Sequence, residues 1–294
     1  MRPDLPPWLA VMRPHQWLKN LLVFVPLVAS HQTDPSILLK SLCAFVAYCL
    51  VASSVYVIND VKDVDADRMH PRKRLRPFAS GILQISAAPL LLAALLIPGA
   101  IIALTTNVIF SACLGLYVFM STAYSFKLKG QPILDVCILA SLYTWRIIAG
   151  GLATGIQLSV WLLAFSIFFF LALAAVKRQA ELVDRRNCGE ERAPGRGYNV
   201  NDLPIISGMA MAAGYVSVLV MALYLNSPHV AALYSFPALL WGVCLVLLYW
   251  LSHVVMTAHR GKMHDDPLVF ALRDSTSQIC LVLMSLFFVG GIFL

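Results

Sequence analysis

Charged residues are scarce in this chain. Only 13% of its 294 residues are Asp, Glu, Lys or Arg, whereas a soluble domain carries about 25%. Hydrophobic residues make up 60% of the chain, and its mean hydropathy is +0.78. The shortage of charge excludes an ordinary soluble enzyme, a nucleic-acid-binding module and a disordered tail. It indicates an integral membrane protein.

Several familiar motifs are also missing. The seven cysteines show no C-x-x-C spacing, so we expect neither a zinc site nor a disulfide framework. The sequence contains no P-loop, no Gly-rich dinucleotide loop and no Ser-His-Asp arrangement. Residues 1–13 lack the apolar core of a signal peptide, so we expect none there.

Long apolar runs dominate what is present. A membrane-spanning helix needs about 20 mostly apolar residues. Nine runs meet that need, at approximately 15–30, 37–58, 84–104, 107–125, 133–154, 158–177, 203–225, 231–256 and 275–293. We therefore predict an all-α integral membrane protein whose nine transmembrane helices surround a central cavity that opens to the cytoplasm.

The basic residues predict the orientation of these helices. Twenty of the 22 Lys and Arg residues fall in the five segments that share one side of a nine-helix arrangement. The positive-inside rule makes that side cytoplasmic. We expect a multi-pass protein of the inner (plasma) membrane, with its N-terminus in the cytoplasm and its C-terminus outside. The net charge of +7 is then explained without nucleic acid.

A carboxylate cluster follows the second apolar run. Asp60, Asp63 and Asp67 come after Asn59 at i, i+3 and i+7, within about 60° of one helix face, whereas Asp65 points away and is expected to be solvated. Negative charge is unfavourable at a helix C-terminus, and like charges repel. Because Mg²⁺ shares carboxylates with substrate phosphates, the cluster predicts a Mg²⁺–diphosphate site. The alternative is a solvated acidic loop balanced by the arginines that follow it.

Basic residues accompany both polar helix ends. Arg72, Lys73 and Arg76 follow the cluster, and such side chains suit phosphate oxygens. A second polar end, after the sixth run, provides further candidates: Lys177, Arg178, Glu181 and Asp184. An ordinary salt-bridged helix face, with Lys177 paired to Glu181, would also explain this second pattern.

Other polar residues stand at or inside the apolar runs. They are Lys19, Asn20, Tyr124, Lys127 and Arg146. An arginine within a membrane span is costly without a partner. Arg146 is therefore expected to pair with a carboxylate, Asp135 being one candidate, or with a substrate phosphate.

These motifs resemble those of the UbiA superfamily of intramembrane prenyltransferases. The family pattern N-D-x-x-D-x-x-x-D corresponds to Asn59, Asp60, Asp63 and Asp67, and an R-P-x-x-S-G-like continuation begins at Arg76. The resemblance implies a single transmembrane domain over residues 1–294, Mg²⁺ held by Asp60, Asp63 and Asp67, and catalytic roles for these residues and Glu181.

Within the superfamily, the chain looks most like the decaprenyl-phosphate phosphoribosyltransferase branch. The shared segments are R-P-x-Q-W-x-K-N at 13–20, H-P-x-K-R-x-R-P at 70–77 and K-R-x-A-E-L at 177–182. The last segment departs from the D-x-x-x-D of aromatic prenyltransferases. This branch implies Mg²⁺-dependent transfer of 5-phosphoribose from phosphoribosyl diphosphate to a polyprenyl phosphate, and substrate binding by the basic and polar candidates above.

Two other functions fit the same sequence. One is transfer of a prenyl group from a prenyl diphosphate to an aromatic or other acceptor. The other is a transporter or lipid-binding scaffold that performs no group transfer. The sequence leaves the oligomeric state open, a homo-oligomer included.

Overall fold

The structure is a computed structural model that describes residues 6–69, 73–191, 195–227, 234–263 and 266–293. Within these residues the fold is all-helical. The α-helices are α1 (Pro7–Met12), α2 (Val25–Ala29), α3 (Pro35–Lys62), α4 (Val64–Met69), α5 (Ala88–Thr106), α6 (Val108–Phe126), α7 (Leu134–Thr154), α8 (Val160–Asn187), α9 (Leu203–Leu225), α10 (Trp241–His259), α11 (Pro267–Arg273) and α12 (Ser275–Phe293).

The chain forms two compact units. Unit 1 comprises residues 1–126 and 145–158, and unit 2 comprises residues 127–144 and 159–294. The single domain expected over residues 1–294 stays a prediction.

Eight helices within the described residues are long and apolar enough to cross a membrane. The expectation of an all-α membrane protein is confirmed, but the count of nine spans is not. The first expected span, 15–30, forms a 3₁₀ helix (Pro14–Phe24) followed by the short α2. Pro14 is the first residue of the 3₁₀ helix and Pro26 the second residue of α2. Neither can donate a backbone hydrogen bond, which explains why one continuous α-helix does not form.

The helices α3 and α8 carry the two polar helix ends and have 28 residues each. At 1.5 Å per residue each is about 42 Å long, about 12 Å longer than a hydrocarbon core. The sequence placed the end of the sixth span at 177, but α8 continues to Asn187. The polar helix end expected directly after that span, at 177–186, forms the last turns of α8, where Arg178 pairs with Asp135 and Glu181.

In unit 1, α7 packs with its backbone in close contact with the backbone of the 3₁₀ helix. Gly150, on α7, packs against the backbone carbonyl of Val23 so tightly that an added Cβ would overlap it. Gly115, on α6, has nothing within 4 Å of the position of an added Cβ. The two helical glycines therefore provide a matched pair.

Gly150→Ala is expected to destabilise the protein by about 1–3 kcal/mol, because the new methyl group must displace backbone. Gly115→Ala is expected to be neutral or stabilising by up to about 1 kcal/mol, because alanine favours the helix. Thermal unfolding in detergent measures both variants. Equal shifts in their melting temperatures would contradict the packing described here.

Candidate active site

The carboxylates at the end of α3 differ sharply in exposure. Asp60 and Asp67 are each 2% exposed, and Asp63 lies half-buried between α3 and α4. The Asp65 side chain is 90% exposed and pairs with Arg68 at 3.2 Å. Asp65 is thus the solvated member, as expected from the helical spacing.

Two arginines neutralise the buried carboxylates. Arg13 donates to Asp60, and Arg76 Nη1 lies 3.2 Å from Asp60 Oδ1 and 2.6 Å from Asp67 Oδ2. The expected continuous helical face is interrupted at Asp63, so Arg76 is what connects Asp60 to Asp67. Two positive and two negative side chains therefore balance in a partly buried network, where an unpaired charge would be costly.

Arg13 belongs to this network, although the sequence motifs alone did not assign it to the site. Its φ of +52° is unusual for a residue other than glycine, and such strain concentrates at functional sites. Its guanidinium also lies 5.1 Å from the centroid of the Tyr56 ring. Burial lowers the pKa of Arg13, whereas the Asp60 carboxylate raises it. The feature of the sequence that pointed to Arg13 is its position as the first residue of the motif at 13–20.

The oxygen atoms around Asp60 are suitable ligands for a hard divalent cation. The buried Oδ1 of Asn59 has no hydrogen-bond partner, and the carboxylates of Asp60 and Asp67 converge on one guanidinium. Oxygen ligands of this kind, completed by substrate phosphates, are what Mg²⁺ prefers. Among the described residues, no group of three His, Cys, Asp or Glu side chains is arranged to hold a metal. The side-chain oxygens of the protein therefore fit Mg²⁺ when a substrate supplies the remaining ligands.

A second polar cluster lies inside unit 1 around Arg146, which is 5% exposed. Its Nε donates to Asn20 Oδ1 and its Nη2 donates to the Tyr117 hydroxyl, both at 2.9 Å. The guanidinium also lies 5.4 Å from the Tyr48 ring centroid. Lys19 precedes Asn20 on the same 3₁₀ helix and is half-buried.

The remaining candidates of unit 1 lie nearer its surface. Lys73 is exposed in a short 3₁₀ turn, and Tyr124 is half-buried at the end of α6. Arg72 lies outside the described residues.

In unit 2, the polar end of α8 is built around a fully buried ion pair. Arg178 and Asp135 both have 0% side-chain exposure, and Arg178 Nη2 lies 3.0 Å from Asp135 Oδ2. Arg178 also pairs with Glu181, whose side chain is 38% exposed. Arg178 is therefore enclosed by protein, and Glu181 is the member of this group that solvent reaches.

Tyr198 completes this arrangement. Its hydroxyl donates to Asp135 Oδ1 at 2.6 Å and accepts from the backbone N–H of Ile133, also at 2.6 Å. Burial raises the pKa of the Tyr198 phenol, and the hydrogen bond to Asp135 adds to that shift. Asp135, a candidate partner for Arg146, is thus engaged by Arg178 and Tyr198.

Lys177 forms an ion pair with Asp266, the residue directly before α11. Its Nζ lies 3.1 Å from Asp266 Oδ2, and the Tyr143 hydroxyl lies 3.3 Å from the same oxygen. The alternative pairing of Lys177 with Glu181 is therefore not the one that forms. Asp184 is half-buried and Lys127 is exposed.

A sequence profile of the UbiA prenyltransferase family matches residues 21–273. The chain belongs to this family. Among solved structures, a UbiA homologue from Archaeoglobus fulgidus bound to GPP and Mg²⁺ has a TM-score of 0.68 and 15% identity, over 97% of this chain and 99% of that one. This likeness supports the UbiA fold.

Three curated relatives of this UbiA protein are similar to it over more than half of its length. It is 38% identical to y4nM of Sinorhizobium fredii over 92% of its own length and 37% identical to the nodulation protein NoeC of Azorhizobium caulinodans over 93%. It spans 53% of y4nM and 89% of NoeC. It is also 42% identical to the decaprenyl-phosphate phosphoribosyltransferase of Mycolicibacterium smegmatis, over 58% of this chain and 55% of that protein.

In this UbiA protein, Arg178→Gln is expected to lower the free energy of unfolding by about 3–5 kcal/mol, because Asp135 would keep a buried charge with a weakened partnership. Arg185→Gln is the matched control, since its pair with Glu190 is exposed and should contribute no more than about 1 kcal/mol. Thermal unfolding in detergent compares them. A melting temperature for Arg178→Gln close to that of Arg185→Gln would show that the buried pair is dispensable.

Proposed function

We propose that this UbiA protein transfers 5-phosphoribose from phosphoribosyl diphosphate to a polyprenyl phosphate. The observation that carries the proposal is the network of Asp60, Asp67, Arg13 and Arg76, which offers both oxygen ligands for Mg²⁺ and guanidinium donors for phosphate. The relatives named decaprenyl-phosphate phosphoribosyltransferase, 35–42% identical, support this substrate pair.

In the proposed reaction, the bond between C1 of the ribose and the diphosphate oxygen breaks, and a lipid phosphate oxygen bonds to C1. The products are a phosphoribosylated lipid phosphate and diphosphate. The nucleophile is already an anion, so no strong general base is needed. Mg²⁺, held by Asp60, Asp67 and Asp63, would neutralise the charge of the diphosphate.

In this proposal, the side chains of the protein bind and orient the substrates. Arg13 and Arg76 donate to phosphate oxygens once the carboxylates bind the cation, and planar guanidinium groups suit this exchange. Arg178, being enclosed, acts by holding Glu181 in place rather than by touching substrate. Lys73, whose side chain is exposed, is assigned to the sugar phosphate.

The transfer is tested with the purified full chain in nanodiscs, labelled phosphoribosyl diphosphate and a polyprenyl phosphate. We expect label to enter the lipid fraction with Mg²⁺ and to remain in the aqueous fraction with EDTA. Consumption of a prenyl diphosphate with an aromatic acceptor, and no labelled lipid, would instead establish prenyl transfer. Lipid binding or flux that EDTA leaves unchanged, without any transfer, would indicate a transporter or scaffold.

Substitution of single carboxylates tests the site itself. Asp60→Asn is expected to lower the transfer rate by about 100-fold or more, because one ligand of the charge-stabilising cation is lost. Asp65→Asn is expected to keep a transfer rate within about twofold of the unchanged protein, because the Asp65 side chain is solvated. Thermal unfolding of both variants checks that the loss is not misfolding. Similar losses of activity in folded Asp60→Asn and Asp65→Asn would refute the proposed site.

A further inference from the structure

Arg13 reaches the charged network from an unusual backbone conformation. Its φ of +52° and ψ of +61° lie in the left-handed region, which residues other than glycine rarely adopt. Pro14 follows it, and a proline normally holds the residue before it in an extended conformation. Contacts from outside Arg13 must therefore maintain the conformation that the structure shows.

Ser53 makes such a contact with the residue before Arg13. Its side chain is fully buried on α3, and its Oγ lies 2.9 Å from the backbone carbonyl oxygen of Met12 and 2.7 Å from that of Cys49. A hydroxyl has one hydrogen, which these two carbonyl groups share. Met12 is the last residue of α1, where carbonyl groups lack partners within the helix. The Ser53 hydroxyl therefore joins the end of α1 to α3.

Trp17 contacts the same hydroxyl. Its Nε1–H donates to Ser53 Oγ at 3.1 Å. Trp17 lies on the 3₁₀ helix Pro14–Phe24, which directly follows Arg13. The Ser53 oxygen thus accepts a hydrogen bond from the segment after Arg13, and its hydrogen is donated to the carbonyl group before Arg13. A single hydroxyl holds both neighbours of the strained residue.

Ser53 shares a face of α3 with the two side chains that contact the Arg13 guanidinium. Ser53, Tyr56 and Asp60 are spaced i, i+3 and i+7, within about 60° around the helix. Asp60 accepts a hydrogen bond from the guanidinium, and the Tyr56 ring centroid lies 5.1 Å from its central carbon. This face of α3 therefore contacts Arg13 at its charged end and holds the backbone beside it.

We propose that Ser53 and Trp17 are positioning residues, which fix the backbone of Arg13 so that its guanidinium can bind a diphosphate. This inference rests on the proposed function for the role of Arg13 as a hydrogen-bond donor to phosphate. In that function, Arg13 leaves Asp60 and turns to a phosphate oxygen when the cation binds. Because the backbone is held on both sides, the side chain alone rotates, and the donor stays preorganised for the anion. The proposal gives Trp17, a member of the 13–20 motif, a role.

Two adjacent serines provide a matched test. Ser54 is also fully buried on α3, but its hydroxyl donates to the carbonyl group of Val51 in the same helix. The measurement is the affinity of the purified full chain in nanodiscs for inorganic diphosphate with Mg²⁺, by titration calorimetry. We expect Ser53→Ala to weaken this affinity by about tenfold, because the contacts with Met12 and Trp17 are lost. We expect Ser54→Ala to keep it within about twofold.

A double variant separates positioning from a general structural effect. If Ser53 acts through Arg13, Ser53→Ala should cause no further loss beyond about twofold in a chain that already carries Arg13→Gln. Thermal unfolding checks that each variant is folded. Equal losses of affinity in Ser53→Ala and Ser54→Ala, or a further loss of about tenfold in the double variant, would overturn the proposal.

Trp17→Phe keeps the test available if Ser53→Ala does not fold. This substitution removes the indole N–H and retains an aromatic ring. We expect it to weaken the affinity for diphosphate by about threefold and to have no further effect in a chain with Arg13→Gln. An unchanged affinity in folded Trp17→Phe would contradict the role of Trp17.

Failure of this inference and failure of the proposed function give different results. Diphosphate is the leaving group in both phosphoribosyl transfer and prenyl transfer, so its affinity can be measured whichever reaction the protein catalyses. The expected affinities, without phosphoribosyl transfer by the unchanged protein, would refute the proposed reaction and keep the positioning role. Phosphoribosyl transfer together with equal affinities in Ser53→Ala and Ser54→Ala would refute the positioning role and keep the reaction.

Discussion

Carboxylates at the end of a membrane helix must be compensated, and this constraint organises the candidate site of unit 1. Asp60 and Asp67 are almost fully buried, at a point where the helix dipole adds further negative potential. Arg13 and Arg76 supply the compensation in the structure. When a divalent cation and an anionic substrate bind, the two carboxylates can pair with the cation and the two arginines with the substrate. The net charge of the site then changes little, because each side chain exchanges one partner of opposite charge for another. This is a physical basis for a site that binds a metal–phosphate complex.

The second polar helix end obeys the constraint differently. Arg178 is enclosed with Asp135, and Tyr198 binds the other oxygen of that carboxylate. Such a closed arrangement holds α8 in shape through its last turns and presents Glu181 to solvent. The enclosed Arg178 of the α8 end thus differs from the partly exposed Arg13 and Arg76 that pair with the α3 end. The relatives are informative about the family, while the substrates remain proposals, because this chain spans about half of the length of y4nM and of the Mycolicibacterium smegmatis enzyme.

Much of the fold could be predicted from hydropathy, since eight of the nine expected apolar runs overlap the eight candidate membrane spans of the described residues. Residues 15–30 could not be assigned correctly from apolar content alone, because prolines 14 and 26 alter the backbone. Helical spacing separated Asp65 from Asp60 and Asp67. It could not identify Arg13 as a partner, because that contact joins residues 47 apart in sequence, and it could not show that Arg178 is enclosed, because burial depends on tertiary packing.

The central claim is that Asp60 and Asp67 bind a divalent cation together with a diphosphate, and a structure determined with Mn²⁺ and phosphoribosyl diphosphate tests it most directly. The account predicts an anomalous Mn²⁺ peak within bonding distance of both carboxylates. It also predicts that Arg13 and Arg76 donate hydrogen bonds to phosphate oxygens. A peak elsewhere, with both arginines still paired to Asp60 and the diphosphate bound at a distance, would contradict it.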